Sequence, residues 1–303
     1  MADKVGLIGL GAMGLPYGRR LIEAGFELWV LGHRNMKPVD VLVGLGAHSA
    51  SNVGELGDAC PVVITSLPDV PQVRSVLFDE GGLVTQRRDG MLFIDMSTIT
   101  PSASKEFHAR LKEQGIAALD APVSGGPARA ADGTLTIMVG GETDAFERAQ
   151  PILKTVGKHI THVGGPGAGQ AVKLVNQLLI SIIMVANAEA LTLGVKAGVP
   201  LETLTEIIGT SSGSNYLMQN WLPKTLFAGD LDKGFALDLL MKDLRAALEW
   251  ANELGSPAFG GALAQQLYRL AKAKGAGRLD YSIVAQLYEE ASGVALRNGD
   301  AGV

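Results

Sequence analysis

The sequence predicts two parts: an N-terminal α/β domain with a doubly wound, mostly parallel sheet, then an all-α C-terminal domain joined by a long helix. Three observations carry this. Short β-branched strand patterns alternate with helical stretches through the first half of the chain, as a parallel sheet covered on both faces requires. A Gly-x-Gly-x-x-Gly run closes the first strand and opens a helix, where a dinucleotide fold of Rossmann type places its phosphate loop. Beyond residue 165 the strand alternation stops and only helical periodicity follows.

Val5-Gly6-Leu7-Ile8 is the first strand and ends in Gly9-Leu10-Gly11-Ala12-Met13-Gly14. The helix that follows runs to Ala24 and stops at Gly25. Residues 26–31 read as the second strand, and 62–66, 91–95, 116–120 and 135–139 as further ones. The Gly164-Gly165-Pro166-Gly167-Ala168-Gly169 break sets the domain limits at 1–165, for dinucleotide binding, and 166–303, for substrate and oligomerisation. Residues 170–197 form one helical pattern, apolar nearly all round and ~40 Å long at 1.5 Å per residue. Such a helix is expected to be buried. Further helices fall around 201–209, 215–228, 236–254, 257–274 and 280–293.

Composition excludes several functions. The chain has 303 residues, 47% hydrophobic and 19% charged, enough for two domains with real cores. Its net charge is −5, and no Lys/Arg run exceeds Arg87-Arg88, so no nucleic-acid partner is expected. One cysteine, Cys60, excludes an internal disulfide framework or a thiolate cluster within the chain. The five histidines lack metal-ligand spacing and read as loop or surface residues, so no metal is expected. The most apolar run, Leu178 to Ala186, is far short of the ~20 residues a bilayer span needs. Met1-Ala2-Asp3-Lys4 leads straight into a strand without a signal-peptide core. The expectation is a cytoplasmic protein with no membrane partner.

In the phosphate loop, Gly9 permits the tight turn, Gly11 lets backbone approach a pyrophosphate, and Gly14 lets the helix pack closely. The end of the second strand, Leu31-Gly32-His33-Arg34-Asn35, lacks the Asp or Glu that usually takes the ribose hydroxyls of NAD. Arg34, with His33, matches a 2′-phosphate instead, so the reading favours NADP(H) and leaves NAD(H) open. Asp95-Met96-Ser97-Thr98 and Asp120-Ala121-Pro122-Val123-Ser124-Gly125-Gly126 follow strands, where open α/β sheets bind ligands. The Ser124 hydroxyl and the N–H groups of Gly125 and Gly126 suit a substrate carboxylate, although a ligand-free hinge fits the segment equally. Lys173 stands one turn into the long apolar helix, with Asn176 and Gln177 at i+3 and i+4. Burial would lower its pKa into the range of a general acid–base; a lysine snorkelling from the helix start is the plainer alternative. Tyr216 and Trp221 are, by position, core or pocket wall.

Taken in order, Gly9-Leu10-Gly11-Ala12-Met13-Gly14, Leu67-Pro68, Asp95-Met96-Ser97-Thr98, Asp120 to Gly126, Gly169-Gln170-Ala171-Val172-Lys173 and Lys242-Asp243-Leu244 resemble the β-hydroxyacid dehydrogenase family across the whole chain. The family includes 3-hydroxyisobutyrate dehydrogenase and tartronate semialdehyde reductase. The resemblance implies an NAD(P)-dependent oxidoreductase acting on a small 3-hydroxy acid or its semialdehyde, with Lys173 as the catalytic acid–base. It implies carboxylate binding by Ser124, Gly125 and Gly126, and a nicotinamide neighbourhood of Leu67, Pro68, Thr98 and Lys242. Tyr216 and Trp221 match an aromatic wall beside the substrate, and an oligomer, dimer or tetramer, is implied as well. Many members carry Asn four residues after the lysine; here Gln177 stands there and Asn176 precedes it. A similar Gln in the tartronate semialdehyde and threonate branches points to polar, hydroxylated acids. A catalytically silent dinucleotide-binding sensor or scaffold is the alternative, which a costly buried lysine speaks against.

Overall fold

The computed structural model describes residues 4–85 and 90–297; Met1-Ala2-Asp3 and Arg87-Arg88 lie outside the described residues. Strands β1 (Lys4–Ile8), β2 (Glu27–Leu31), β3 (His48–Ala50), β4 (Val62–Thr65), β5 (Leu92–Asp95) and β6 (Ala117–Asp120) pair in parallel in the order β3-β2-β1-β4-β5-β6. The order reverses between β1 and β4, and the Gly9–Gly14 loop leaves β1 at that switch point. Beyond β6 the sheet continues with β7 (Val123–Ser124), β8 (Leu135–Gly141) and β9 (Gly157–Gly164). β8 runs antiparallel to β6 and β7, and β9 runs parallel to β8.

Alternation along the strands explains why helices cover both faces. Leu7, Leu92 and Ile94 point into one core with Tyr17, Leu21, Leu42 and Leu153. Ile8, Val63 and Phe93, one residue out of phase, point into a second core with Leu56, Leu77, Phe107 and Leu111. The mostly parallel, doubly wound sheet is therefore as the sequence predicts.

Three strands escape the sequence pattern. β3 has only three residues, too few for a period to show. β7 is shorter still. In β9, Gly157-Lys158-His159-Ile160-Thr161-His162-Val163-Gly164, polar residues dominate an edge position with bulges in its pairing. His159 and His162 are thus strand residues, and His108 lies on the helix Pro101–Glu113 with its side chain only 10% exposed beside Asp120. His159 is exposed on its strand, as a surface residue; the expectation of loop or surface histidines fails for half-buried His108 and His162.

The chain divides into compact units ending at Lys173 and beginning at Leu174. The second unit is helical, with Leu201–Gly209, Leu237–Glu253, Phe259–Ala273 and Ala285–Ser292 around Leu240, Leu244, Tyr268 and Tyr281. Residues 215–228 do not form the single helix expected. A π-helical turn, Leu217–Trp221, gives way to a 3-10 turn, Leu222–Lys224, because Pro223 lacks the N–H that would continue an α-helix.

The long helix spans Ala168–Lys196, and it is not buried all round. Val175, Leu179 and Leu193 are 55%, 54% and 71% exposed, whereas Gln170, Lys173, Gln177 and Ser181 are buried. Uniform apolarity hid which face packs, and the few polar side chains mark it. By length and composition this helix would cross a membrane, which the shorter run Leu178–Ala186 did not suggest. Its buried polar row is the mark of a helix packed inside protein.

Candidate active site

The phosphate loop is fixed by close backbone approaches. Gly9 has φ +96°, and a Cβ there would lie 2.2 Å from the Ser66 carbonyl oxygen. A Cβ on Gly14 would lie 1.9 Å from the Gly9 carbonyl oxygen, so this glycine serves the loop itself. Gly11 differs: nothing of the protein lies within 4 Å of its Cβ position. The protein's own packing does not demand a glycine there, whereas a pyrophosphate approaching the backbone does. The helix Gly14–Glu23 begins without a side-chain cap; the Leu15 N–H donates to the Gly11 carbonyl at 3.1 Å. Leu10, Ala12 and Met13 complete the loop, and the residues fit a dinucleotide.

At the end of β2, His33 and Arg34 are exposed, and Lys37 opens the next helix, Lys37–Val43, also exposed. Three basic residues thus fall within five positions. Lys37 was missed from the sequence although charge spacing alone could have found it. Asn35 is occupied in accepting from the Lys37 N–H at 3.2 Å.

The ends of β4, β5 and β6 are tied together by polar side chains. Ser97 Oγ accepts from the Leu67 N–H at 2.8 Å, which links the Leu67-Pro68 turn to the Ser97-Thr98 turn. Asp95, buried, accepts from Thr65 Oγ1 at 2.8 Å and from the Ser97 N–H at 3.0 Å. Burial pushes its carboxyl above the ordinary aspartate range, against those hydrogen bonds. Gln170 reaches the same turn, donating to the Ser97 carbonyl at 2.8 Å and accepting from the Ile99 N–H at 3.1 Å. Lys173, only 7% exposed, follows three residues later on the same helix. Sequence reasoning missed Ser97, Asp120 and Gln170 as organisers, because their partners lie 30 to 73 residues away.

Ser124, at the end of β7, and Gly125 and Gly126 are half-buried. Gly125 and Gly126 have φ +136° and +72°. A Cβ on Gly125 would meet the Arg129 side chain at 2.7 Å, but at Gly126 the space is open. The positive φ of Gly126 favours glycine there by itself, and the open space leaves its backbone exposed.

In the helical unit, Gln177 donates to Asp243 Oδ2 at 2.8 Å and accepts from Asn176 Nδ2 at 3.2 Å. Lys242 pairs with Asp243 Oδ1 at 2.9 Å. One polar chain therefore holds Asn176, Gln177 and Lys242. Trp221, half-buried, donates its indole N–H to Asp280 at 3.1 Å, while Tyr216 is 57% exposed.

Residues 4–164 match a family model described as the NAD binding domain of 6-phosphogluconate dehydrogenase. Residues 167–288 match one described as the NAD-binding of NADP-dependent 3-hydroxyisobutyrate dehydrogenase. The chain is 42% identical to 2-(hydroxymethyl)glutarate dehydrogenase of Eubacterium barkeri, covering 98% of each. It is 38% identical to the NAD-dependent L-serine dehydrogenase of Pseudomonas aeruginosa, covering 96% of this chain and 99% of that one. Among solved structures, Mycobacterium tuberculosis 3-hydroxyisobutyrate dehydrogenase with L-serine superposes with a TM-score of 0.89 at 32% identity, covering 95% and 99% of the two chains.

The loop geometry makes a direct prediction. Gly14→Ala forces the Gly9 carbonyl aside and weakens NADH and NADPH binding at least tenfold, read by nucleotide fluorescence, while far-UV dichroism stays as in the wild type. Unchanged affinity for both nucleotides would refute the role given to this loop.

Proposed function

The chain belongs to the β-hydroxyacid dehydrogenase family and is an NAD(P)-dependent oxidoreductase, and we propose that it acts on a small 3-hydroxy acid or its semialdehyde with Lys173 as general acid–base. The observation that carries this is the burial of Lys173, one residue turn beyond the Gln170 side chain that binds the Ser97–Ile99 turn. A lysine that deep is costly unless it has a partner or chemical work. In oxidation its amine takes the proton of the alcohol oxygen; in reduction its ammonium returns one to the carbonyl oxygen. The dinucleotide, when bound, supplies the hydride chemistry. The Ser124 hydroxyl and the N–H groups of Gly125 and Gly126 hold the carboxylate and orient the reacting carbon.

Leu67, Pro68 and Thr98 lie beside the nicotinamide in this reading, as does Lys242. Asn176, Gln177, Tyr216 and Trp221 contact the substrate. Gln177 spends one amide hydrogen on Asp243 and keeps a second for a hydroxyl or carboxylate, which suits polar acids. The two enzymes above support the class, since each named acid carries its hydroxyl on the carbon next to the one bearing the carboxylate. The relatives named above carry names of catalysts, which gives no support to a silent sensor or scaffold. Arg34 and His33 favour NADP(H) at the end of β2, with NAD(H) open. The family matches support limits of 1–165 for the dinucleotide-binding domain and 166–303 for the helical domain.

We also propose a cytoplasmic homo-oligomer, dimer or tetramer. Its support is an uncovered apolar face in the helical unit. Phe259, Leu263 and Leu270 are 86%, 61% and 57% exposed on one helix, next to exposed Val175 and Leu179 on another. Gly260 lies close enough to Ile182 that a Cβ there would stand 3.2 Å away, so the two stripes adjoin. Large contiguous patches of this kind mark interfaces.

Lys173→Ala is expected to lower turnover at least 10²-fold with nucleotide affinity nearly unchanged, measured by nicotinamide absorbance with tartronate semialdehyde, L-serine and 3-hydroxyisobutyrate; wild-type turnover sinks the assignment. Arg34→Asp should shift the NADPH/NADH preference toward NADH, and an unmoved ratio shows that Arg34 does not read the phosphate. Light scattering on the purified protein should give a multiple of 31.7 kDa, and a monomer would overturn the assembly.

A further inference from the structure

We infer that Asp120 is a positioning residue for Lys173: its carboxylate caps the helix that carries the lysine, setting where the amine stands and how readily it holds a proton. The inference rests on Lys173 being the acid–base of the reaction.

Asp120 ends β6 and is fully buried. Both its oxygens are engaged by backbone donors from the start of the long helix. Oδ1 accepts from the Gly167 N–H at 2.7 Å, and Oδ2 accepts from the Gln170 N–H at 2.9 Å. The helix Ala168–Lys196 therefore begins on a side chain of the sheet, in place of a capping residue of its own. Two glycines make this approach feasible. A Cβ on Gly140 would lie 2.6 and 2.8 Å from the two Asp120 carboxylate oxygens, and a Cβ on Gly169 would lie 2.4 Å from the Met138 carbonyl oxygen. No side chain fits between the helix start and the strand ends.

The Gln170 side chain supplies a second tie, to the turn after β5, so the first helical turn is held from β5 and β6 together. Lys173 follows Gln170 at i+3, on the same helix face. With the first turn held from two strands, the root of the lysine side chain has little freedom. A displacement of about 1 Å at a reacting group can lower turnover ~10²-fold.

The charge matters as well as the cap. From β5, Asp95 stands in register with Asp120, and burial drives it toward its neutral form. From the helix Pro101–Glu113, His108 Nε2 lies 3.4 Å from Asp120 Oδ1, and Lys105 lies beside Gly167. Lys173 itself faces from the capped helix. An anionic carboxylate at a helix start of this kind favours the ammonium form of a lysine one turn on. Removing the charge while keeping the shape lowers the lysine pKa.

The test uses the full-length protein with NADP⁺ bound and Lys173 followed by ¹³Cε NMR titration, assigned by comparison with Lys173→Arg. Asp120→Asn should move the Lys173 titration down and lower kcat on 3-hydroxyisobutyrate or L-serine at least tenfold, with the nucleotide KM within twofold of wild type. Gly140→Ala, which keeps the charge and displaces the carboxylate, should lower kcat similarly and leave the titration near its wild-type position. Should Asp120→Asn fail to fold, Gly140→Ala decides, and wild-type kcat in that variant overturns the inference. An unshifted titration with wild-type kcat in Asp120→Asn overturns it too. The Lys173→Ala control separates the failures: if that variant turns over normally, the acid–base reading falls first. If it is inactive while both other variants behave as wild type, the positioning role falls alone.

Discussion

One buried carboxylate accepting two backbone N–H groups is the interaction on which the placement of the long helix's first turn depends. Asp120 makes those bonds at the end of β6, and neither oxygen has water to fall back on. Removing one partner of such a bond leaves a buried polar group unsatisfied, at a cost of about 1–3 kcal/mol and more when charged. The geometry is therefore held by penalty as much as by attraction. Everything attached to that first turn inherits the placement: Gln170 with its bonds to the Ser97 and Ile99 backbone, and Lys173 three residues on.

The glycines divide into two kinds by what surrounds them. At Gly9, Gly14, Gly140 and Gly169 a methyl group would collide with the protein's own carbonyl or carboxylate oxygens. These residues allow segments of backbone to touch. At Gly11 and Gly126 the space beyond is open, and the absence of a side chain serves no neighbour in the chain. The same open space surrounds turn glycines such as Gly25, Gly115 and Gly198, whose positive φ calls for glycine; Gly126 shares that reason, and Gly11 does not.

The features legible in the sequence were those with short spacing. The phosphate loop, the parallel strands around it and the helical second half are local patterns, each complete within about twenty residues. What was illegible depended on distant partners or on missing contrast. Gln177 meets Asp243 across 66 residues, and nothing near either one signals the pair. β3 and β9 are held by their neighbours in the sheet more than by their own alternation, so their sequences carry little of the signal. The 215–228 segment contained its own warning in Pro223, since an interior proline removes a backbone hydrogen bond and kinks or breaks a helix.

The long helix shows why burial was misjudged from an apolar sequence. Its composition offers no polar face, so periodicity cannot say which side is inside. The structure answers with an inversion. Gln170, Lys173, Gln177 and Ser181 are inside, and Val175, Leu179 and Leu193 are outside. A helix selected only for packing would place these the other way round, because burying an amide or an ammonium costs far more than exposing a valine. Gln170, Gln177 and Ser181 of the buried row are each held by hydrogen bonds, which offset the cost of burying them. A buried polar row and an exposed apolar row thus stand on opposite faces of one helix, and together they erase the amphipathic signal by which either face would have been recognised.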